Sequence, residues 1–199
     1  MPELLAGSPW TVFSAVEKVF TQTFTIGADT KTGINHAVAE INAALLAASN
    51  ISRLSEVNAT TGFSRVLQMD GLHNPEDCPH VRLVTGEALQ QAYEAYGDTD
   101  HGTGRYDLLL VSYLTQDGAE TGDAAQGDSL AQQAELWTTA LGRALRRRGT
   151  NGVWGYAGET LIDLNLSLVR IGTFAVEEDG EARGARLEHR IRIEQDVFY

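Results

Sequence analysis

The chain has 199 residues, of which 43% are hydrophobic and 21% charged, and its formal net charge is −12. This size and composition are typical of one globular domain with a single buried core. The acidity disfavours a protein that grips DNA through its phosphates, because such a protein needs a basic surface. The one cysteine, Cys78, excludes an intrachain disulfide and a multi-cysteine zinc site. We expect no membrane association, since no signal peptide and no long apolar run is recognisable.

Two helices are predicted in the N-terminal portion. The first begins near Pro9, a residue favoured in the first turn, and its apolar face comprises Phe13, Val16, Phe20 and Phe24. The second spans residues 33–48, where apolar residues recur every three or four positions: Ile34, Val38, Ile41 and Leu45. We therefore expect a single domain, 1–199, in which residues 1–60 form a helical portion and residues 61–199 form a core of sheet and helix.

Three strands are predicted in the middle of the chain, over residues 64–69, 80–85 and 106–115. The third is apolar on both faces, which predicts a central strand that is covered on both sides. The stretch Asp98–Asp107 contains two glycines and predicts turn chemistry leading into that strand. The segment Asp117–Asp128 contains acids and glycines but no large apolar residue, so we expect a mobile loop there.

A long amphipathic helix over residues 129–148 is the clearest pattern in the sequence. Its apolar stripe comprises Leu130, Ala134, Trp137, Leu141 and Leu145. We expect Trp137 to anchor this helix in the core. Arginines stand at its C-terminal end, where cations complement the helix dipole, and we expect them to pair with carboxylates rather than form a phosphate site: Arg143, Arg146, Arg147 and Arg148.

Two strands with alternating apolar and polar residues close the chain. In the first, four apolar residues alternate with Asp163, Asn165 and Ser167: Ile162, Leu164, Leu166 and Leu168. In the second, the apolar-face residues are Leu187, His189, Ile191 and Ile193, and we expect His189 to be a core or interface residue rather than a base. The predicted fold is α+β, a mainly antiparallel β-sheet packed by an N-terminal helix and the long helix.

One cluster of residues has the side chains of a metal site. It comprises Asp70, His73, Glu76, Asp77, Cys78 and His80. The spacing matches no known metal-binding pattern, so a polar loop is the favoured interpretation. No nucleophile elbow is recognisable, and we expect no enzymatic activity and no cofactor. The alternative is a cytoplasmic module or enzyme that binds a small ligand or a metal through the Asp70–His80 loop.

The order of the predicted elements resembles a known family. An N-terminal helix, the strands HVRLVTGEA and YDLLLVSYLTQ, the helix SLAQQAELWTTALGRALRRRG, and the strands LIDLNLSLVRIGTF and RLEHRIRIEQD follow one another. This order resembles the tail terminator, or tail completion, proteins of long-tailed bacteriophages, and it covers roughly residues 60–199. The resemblance implies a structural virion protein of the tail or neck, assembled in the host cytoplasm.

In such a protein, about six copies would form a ring that caps the tail tube and joins it to the head connector or stopper protein. The ring implies head-to-tail contacts between copies, and DNA would pass through its lumen without specific binding. The mixed-charge face of the last strand is the expected subunit or partner interface, and it comprises Arg186, Glu188, Arg190, Arg192 and Glu194.

Overall fold

The structure is a computed structural model that describes residues 9–45, 53–68, 78–85, 92–95, 101–115, 123–146, 161–175 and 183–198. The helices are α1 (Pro9–Thr21), α2 (Gly33–Ala44) and α3 (Asp123–Arg146). The strands are β1 (Thr23–Ile26), β2 (Asp29–Thr32), β3 (Phe63–Val66), β4 (His80–Val84), β5 (Ala92–Ala95), β6 (His101–Thr115), β7 (Leu161–Ala175) and β8 (Arg183–Phe198). None of the described helices is both long enough and apolar enough to span a membrane.

The main sheet has the strand order β3-β4-β6-β8-β7, and β5 pairs with the first part of β6. All of its pairings are antiparallel except the one between β3 and β4, which is parallel. The strands β7 and β8 form the antiparallel pair that the sequence pattern predicts. The predicted α+β class, with a mainly antiparallel sheet, is therefore confirmed.

The central strand β6 has a buried residue on each of its two faces. Leu110 is opposite His189 in the pairing with β8 and lies in the main core, whereas its neighbour Val111 is opposite Glu188. Both Leu110 and Val111 are fully buried, and Tyr113 is almost so. The prediction of a central strand is confirmed, but the opposite face is covered only around Val111 and Tyr113, because Asp107 on that face is exposed. We call the face that contains Leu110 and His189 the helix face, and the face that contains Val111 and Glu188 the opposite face.

The helices pack against the helix face through the stripes that the sequence predicts. On α3, Ala134, Trp137, Leu141 and Leu145 are all buried in the main core. The same core contains Phe13, Val16 and Phe20 of α1 together with Ile34, Val38 and Ile41 of α2. Burial of these apolar faces is the main force that holds the helices on the sheet.

A small hairpin separates α1 from α2, and no pattern in the sequence predicted it. Strands β1 and β2 pair antiparallel, and Gly27 between them has a positive φ of 63°, which glycine adopts without a steric penalty. Phe24, predicted on the face of α1, lies in β1 and packs against the core from there. The second helix ends at Ala44, and the predicted residues 46–48 lie outside the described part of the chain.

Two predictions about the segments around β6 were wrong. The strand starts at His101, so Gly102 and Gly104 are strand residues that pair with β5 and β8 rather than turn residues. The long helix starts at Asp123, so residues 123–128 are helical, although a mobile loop was predicted. The helix ends at Arg146, and residues 147–148, which were predicted to be helical, lie outside the described part of the chain.

Two asparagines of α2 fix the extended segment that follows it. The side chain of Asn35 donates to the carbonyl oxygen of Val57 and accepts from its N–H, both at 2.8 Å. Asn42 makes the same pair of bonds with Leu54, both at 2.9 Å. Each side-chain amide therefore makes the two hydrogen bonds that a neighbouring strand would make. The backbone N–H and C=O groups of Leu54 and Val57 are thus hydrogen-bonded although they lie outside a sheet.

Candidate interaction surface

The predicted interface residues lie together on the opposite face of the sheet. Arg186, Glu188, Arg190 and Arg192 alternate along β8 with buried residues of the helix face, so their side chains share one side. Glu194 occupies the next position in register, opposite Arg105, and its side chain is outside the described part. This arrangement follows from the two-residue period of a strand, and it places the whole predicted set away from the helices.

Neighbouring strands add three more arginines to this surface. By register, Arg105 of β6 is opposite Glu194, Arg170 of β7 is opposite Glu188, and Arg82 of β4 is opposite Val111. We call the combined set the arginine face: Arg82, Arg105, Arg170, Arg186, Arg190 and Arg192. Among the described side chains of this face there are only two carboxylates, Asp107 and Glu188. These three arginines could not be predicted from the sequence, because only the sheet register brings them beside β8.

Ion pairs fix some of these arginines and leave others open to solvent. Arg186 pairs with Glu188 at 2.8 Å, and both side chains are partly buried. Nε of Arg192 lies 3.0 Å from Oδ1 of Asp107, but these side chains are 60% and 48% exposed. No carboxylate of the described residues pairs with Arg190, which is exposed. The exposed arginines Arg190 and Arg192 are therefore accessible to a contact from outside the chain.

Acidic positions follow the arginine positions along the register of the opposite face. Beyond Arg192, the next positions of β8 on this face are Glu194 and Asp196. In the register, Asp163 of β7 is opposite Glu194. Thr103 of β6 is opposite Asp196 on one side and Glu94 of β5 on the other. The positions in these last rows thus carry four acids: Glu94, Asp163, Glu194 and Asp196. By register, Arg105 shares the row of Glu194 and Asp163, so acidic and basic positions adjoin at this end of the sheet.

An apolar cluster lies beside the arginine face on β3, β4 and β6. Val84, Val111 and Tyr113 are buried, and Val66, Cys78 and Leu109 pack against them. The guanidinium of Arg82 lies 5.4 Å from the centre of the Tyr113 ring, a distance at which a cation and an aromatic face attract each other. This contact positions Arg82 at the border between the apolar and the charged parts of the face.

A separate open groove of about 630 Å³ lies between α2, α3 and β7. We call it the α2–α3 groove, and six of the residues that line it are Glu40, Thr138, Gly142, Arg143, Arg146 and Leu166. Arg143 and Glu40 face each other across it, with Nη1 and Oε2 3.8 Å apart. The prediction that arginines at this helix end pair with carboxylates is confirmed for Arg143.

The alternative site, the Asp70–His80 loop, is described only over its last three residues. There, Nε2 of His80 lies 2.9 Å from Oγ of Ser64, and Nδ1 lies 2.9 Å from the carbonyl oxygen of Thr61. Both ring nitrogens are therefore engaged within the chain, and a metal would have to break one of these bonds. Within the described ranges, no group of three or more histidine, cysteine, aspartate or glutamate side chains is close enough together to hold a metal.

His189 is a buried residue of the helix face, in agreement with its sequence position. Its side chain is fully buried, and Nε2 lies 2.8 Å from Oγ1 of Thr138 on α3. Burial lowers the pKa of His189 from 6.5 to about 4, because the charged imidazolium would lose its hydration there. At neutral pH the ring is neutral and joins the sheet to the helix.

No protein-family model matches the sequence, and no curated protein matches it significantly.

Proposed function

We propose that this protein is a structural subunit of a phage tail or neck, and that its copies assemble into a ring through which DNA passes. In this proposal the ring terminates the tail tube and joins it to the head connector, and the protein is not an enzyme. The order of elements in the sequence suggested this role. The observation that carries it is the set of six arginines on the opposite face of the sheet, in a chain whose net charge is −12.

A charged sheet face of this kind fits head-to-tail assembly. The arginine face has six arginines and two described carboxylates, although the chain as a whole has a net charge of −12. The acidic remainder of the chain is complementary to it. A closed ring needs two different, complementary patches on each subunit, and segregated charges provide such patches and fix their register.

The acidic remainder of the chain also fits the passage of DNA. A lumen wall that carries negative charge repels the phosphates, so a polymer that must move through it does not bind. The middle of the sequence, residues 65–128, has twelve acids and three bases. Part of this surplus would face the lumen in the proposed ring.

Electron microscopy of the purified protein tests the proposal. Negatively stained protein, alone and mixed with its tail-tube partner, is expected to show rings of about six subunits, and rings at the ends of tubes in the mixture. Sedimentation velocity on the same samples gives the mass of the assembly. A protein that stays monomeric in both samples and binds one equivalent of a divalent metal would contradict the proposal and support the alternative at the Asp70–His80 loop.

A further inference from the structure

We propose that the α2–α3 groove binds the acidic segment between β7 and β8 of a second copy of this chain. This inference rests on the proposed ring and names one of its subunit contacts. The segment has the sequence Glu177-Glu178-Asp179-Gly180-Glu181, with four acids in five residues. The groove presents arginines, so the two surfaces have opposite charge.

The arginines of the groove retain capacity for a further carboxylate. The separation of 3.8 Å between Arg143 and Glu40 is close to the limit of an ion pair, and both side chains are about half exposed. Such a pair contributes little to the free energy of folding, and most N–H donors of the guanidinium group remain in contact with water. Arg146 is exposed, and no carboxylate among the described residues pairs with it. Among the described lining residues, Arg143 and Arg146 together carry more charge than the one carboxylate, Glu40.

The shape of the groove suits an extended segment. Its volume of about 630 Å³ lies in the range of peptide and ligand clefts. Gly142 lies on its floor, where an added methyl group would meet only the side chain of Leu166, at 3.8 Å. The two arginines supply donors along its wall, whereas the hydroxyl of Thr139 already donates to the carbonyl oxygen of Glu135 and can only accept.

The acidic segment must come from another copy, because its own groove is out of reach. Leu166, which lines the groove, lies nine residues before Ala175, where β7 ends. At the rise of an antiparallel strand this separation is about 30 Å. The segment starts beyond that point, and the pairing of β7 with β8 holds the two strands together up to the pair of Ala175 and Arg183. A contact between this segment and the groove would therefore join two copies.

Two exposed apolar residues of β7 support a contact on this side of the molecule. Val169 is 57% exposed and Ile171 is 49% exposed, and both lie on β7 between the groove residue Leu166 and the acidic segment. Exposed apolar side chains beside a charged groove are typical of a surface that a partner covers. A contact between the acidic segment of one copy and the α2–α3 groove of another joins two different patches, so it is heterologous. Such a contact generates a ring when the rotation that relates neighbouring copies closes.

Charge reversal in both partners tests the proposal. The double variant Arg143→Glu, Arg146→Glu and the double variant Glu178→Lys, Asp179→Lys are each expected to lose assembly, because like charges then meet. A chain with all four substitutions restores opposite charges and is expected to assemble again. The variant Arg53→Glu, which reverses an exposed arginine outside the groove, serves as the matched control. Sedimentation velocity measures assembly, and circular dichroism verifies folding.

A peptide measurement tests the contact without any ring. A synthetic peptide of residues 174–183 is titrated into the wild-type protein, and calorimetry measures its binding. We expect saturable binding that weakens by about ten-fold or more in the Arg143→Glu, Arg146→Glu variant and with a peptide whose acids are replaced by their amides. Equal binding of the amide peptide, or binding of a short duplex DNA in place of the acidic peptide, would overturn the proposal.

The failure of this inference is distinguishable from failure of the proposed function. If wild-type protein forms rings and the groove variant forms them equally well, the groove contact is wrong and the ring is retained. If wild-type protein forms no rings alone or with tube protein, the proposed function is wrong.

Discussion

The imidazole of His189 on β8 and the hydroxyl of Thr138 on α3 are hydrogen-bonded, with Nε2 and Oγ1 2.8 Å apart. The same hydroxyl donates to the carbonyl oxygen of Ala134 at 2.7 Å, so its only hydrogen is already used. Nε2 must therefore carry the proton of a neutral ring and donate it to Thr138. Nδ1 is buried, and it has no hydrogen-bond partner among the described residues.

This geometry predicts a pH dependence of stability. The histidine titrates near 6.5 in the unfolded chain, and burial lowers its pKa to about 4 in the folded protein. Between these values the unfolded state binds more protons, so the free energy of unfolding decreases as the pH falls from 6.5 to 4, by on the order of 3 kcal/mol. Above pH 6.5 the ring is neutral in both states and contributes no slope.

Urea unfolding of wild-type protein and of His189→Leu over pH 4 to 7 measures this contribution. Carboxylates affect both proteins alike, so the difference between the two curves isolates the histidine. We expect the wild-type stability to fall more steeply toward acid than that of the variant. Parallel curves would show that the pKa of His189 is the same in the folded and the unfolded protein.

Trp137 is expected to be a principal anchor of α3. Its side chain is fully buried in the main core with Leu141 and Leu145 of the same helix. The substitution Trp137→Ala should lower the free energy of unfolding by about 3 to 5 kcal/mol, through lost apolar burial and a cavity. Its indole N–H has no hydrogen-bond partner among the described residues, so Trp137→Phe should cost clearly less. Chemical unfolding measures both, and an unaltered midpoint for the alanine variant would contradict the prediction.

The side-chain hydrogen bonds of Asn35 and Asn42 on α2 predict a loss of stability when the N–H donor of the side-chain amide is removed. In Asn35→Asp the carboxylate still accepts from the N–H of Val57 but no longer donates to its carbonyl oxygen, which remains buried and unpaired. We expect a loss of about 1 to 3 kcal/mol. The equivalent change at the half-buried Asn42 should cost less, because water can replace the lost bond. Equal losses at the two positions would show that burial does not set the effect.

The parts of the fold that the sequence predicted are those in which a periodic pattern of apolar residues extends over a long segment. The stripe of α3 and the alternation along β7 and β8 each extend over many residues, so tertiary burial agrees with the local pattern. The β1–β2 hairpin was missed because its strands have four residues each, too few for the alternation of Phe24 and Ile26 with threonines to stand out. The first turns of α3 were missed because adding residues to an existing helix needs only local hydrogen bonds, not burial.

The candidate surface could be predicted only within one strand. The alternation along β8 placed Arg186, Arg190 and Arg192 on one side, and this required no knowledge of the sheet. Arg82 and Arg105 join them through pairings with residues far away in the sequence, which no local pattern encodes. The α2–α3 groove likewise depends on how two helices and an edge strand pack together.

The arginine face gives the last prediction. Arg192 is paired with Asp107 at the surface, and Arg190 has no ion-pair partner among the described residues, so neither contributes much to folding. The double variant Arg190→Glu, Arg192→Glu should therefore fold with a free energy of unfolding within about 1 kcal/mol of the wild-type value. It should nevertheless lose ring formation or joining to the tube, because like charges placed across an interface cost several kcal/mol.

Sedimentation velocity and negative-stain microscopy measure that loss, and circular dichroism and urea unfolding verify the fold. Arg53→Glu, an exposed arginine outside the arginine face, is the control and should assemble normally. The position of Asp107 sharpens the test, since Asp107→Lys in the double variant restores the in-chain ion pair with its charges exchanged, while both outward arginines of β8 remain replaced. Assembly that stays lost in this triple variant assigns the effect to the outward charge of β8. Assembly that returns would assign it to the Arg192–Asp107 pair, and normal assembly of the folded double variant would remove the arginine face from the interface altogether.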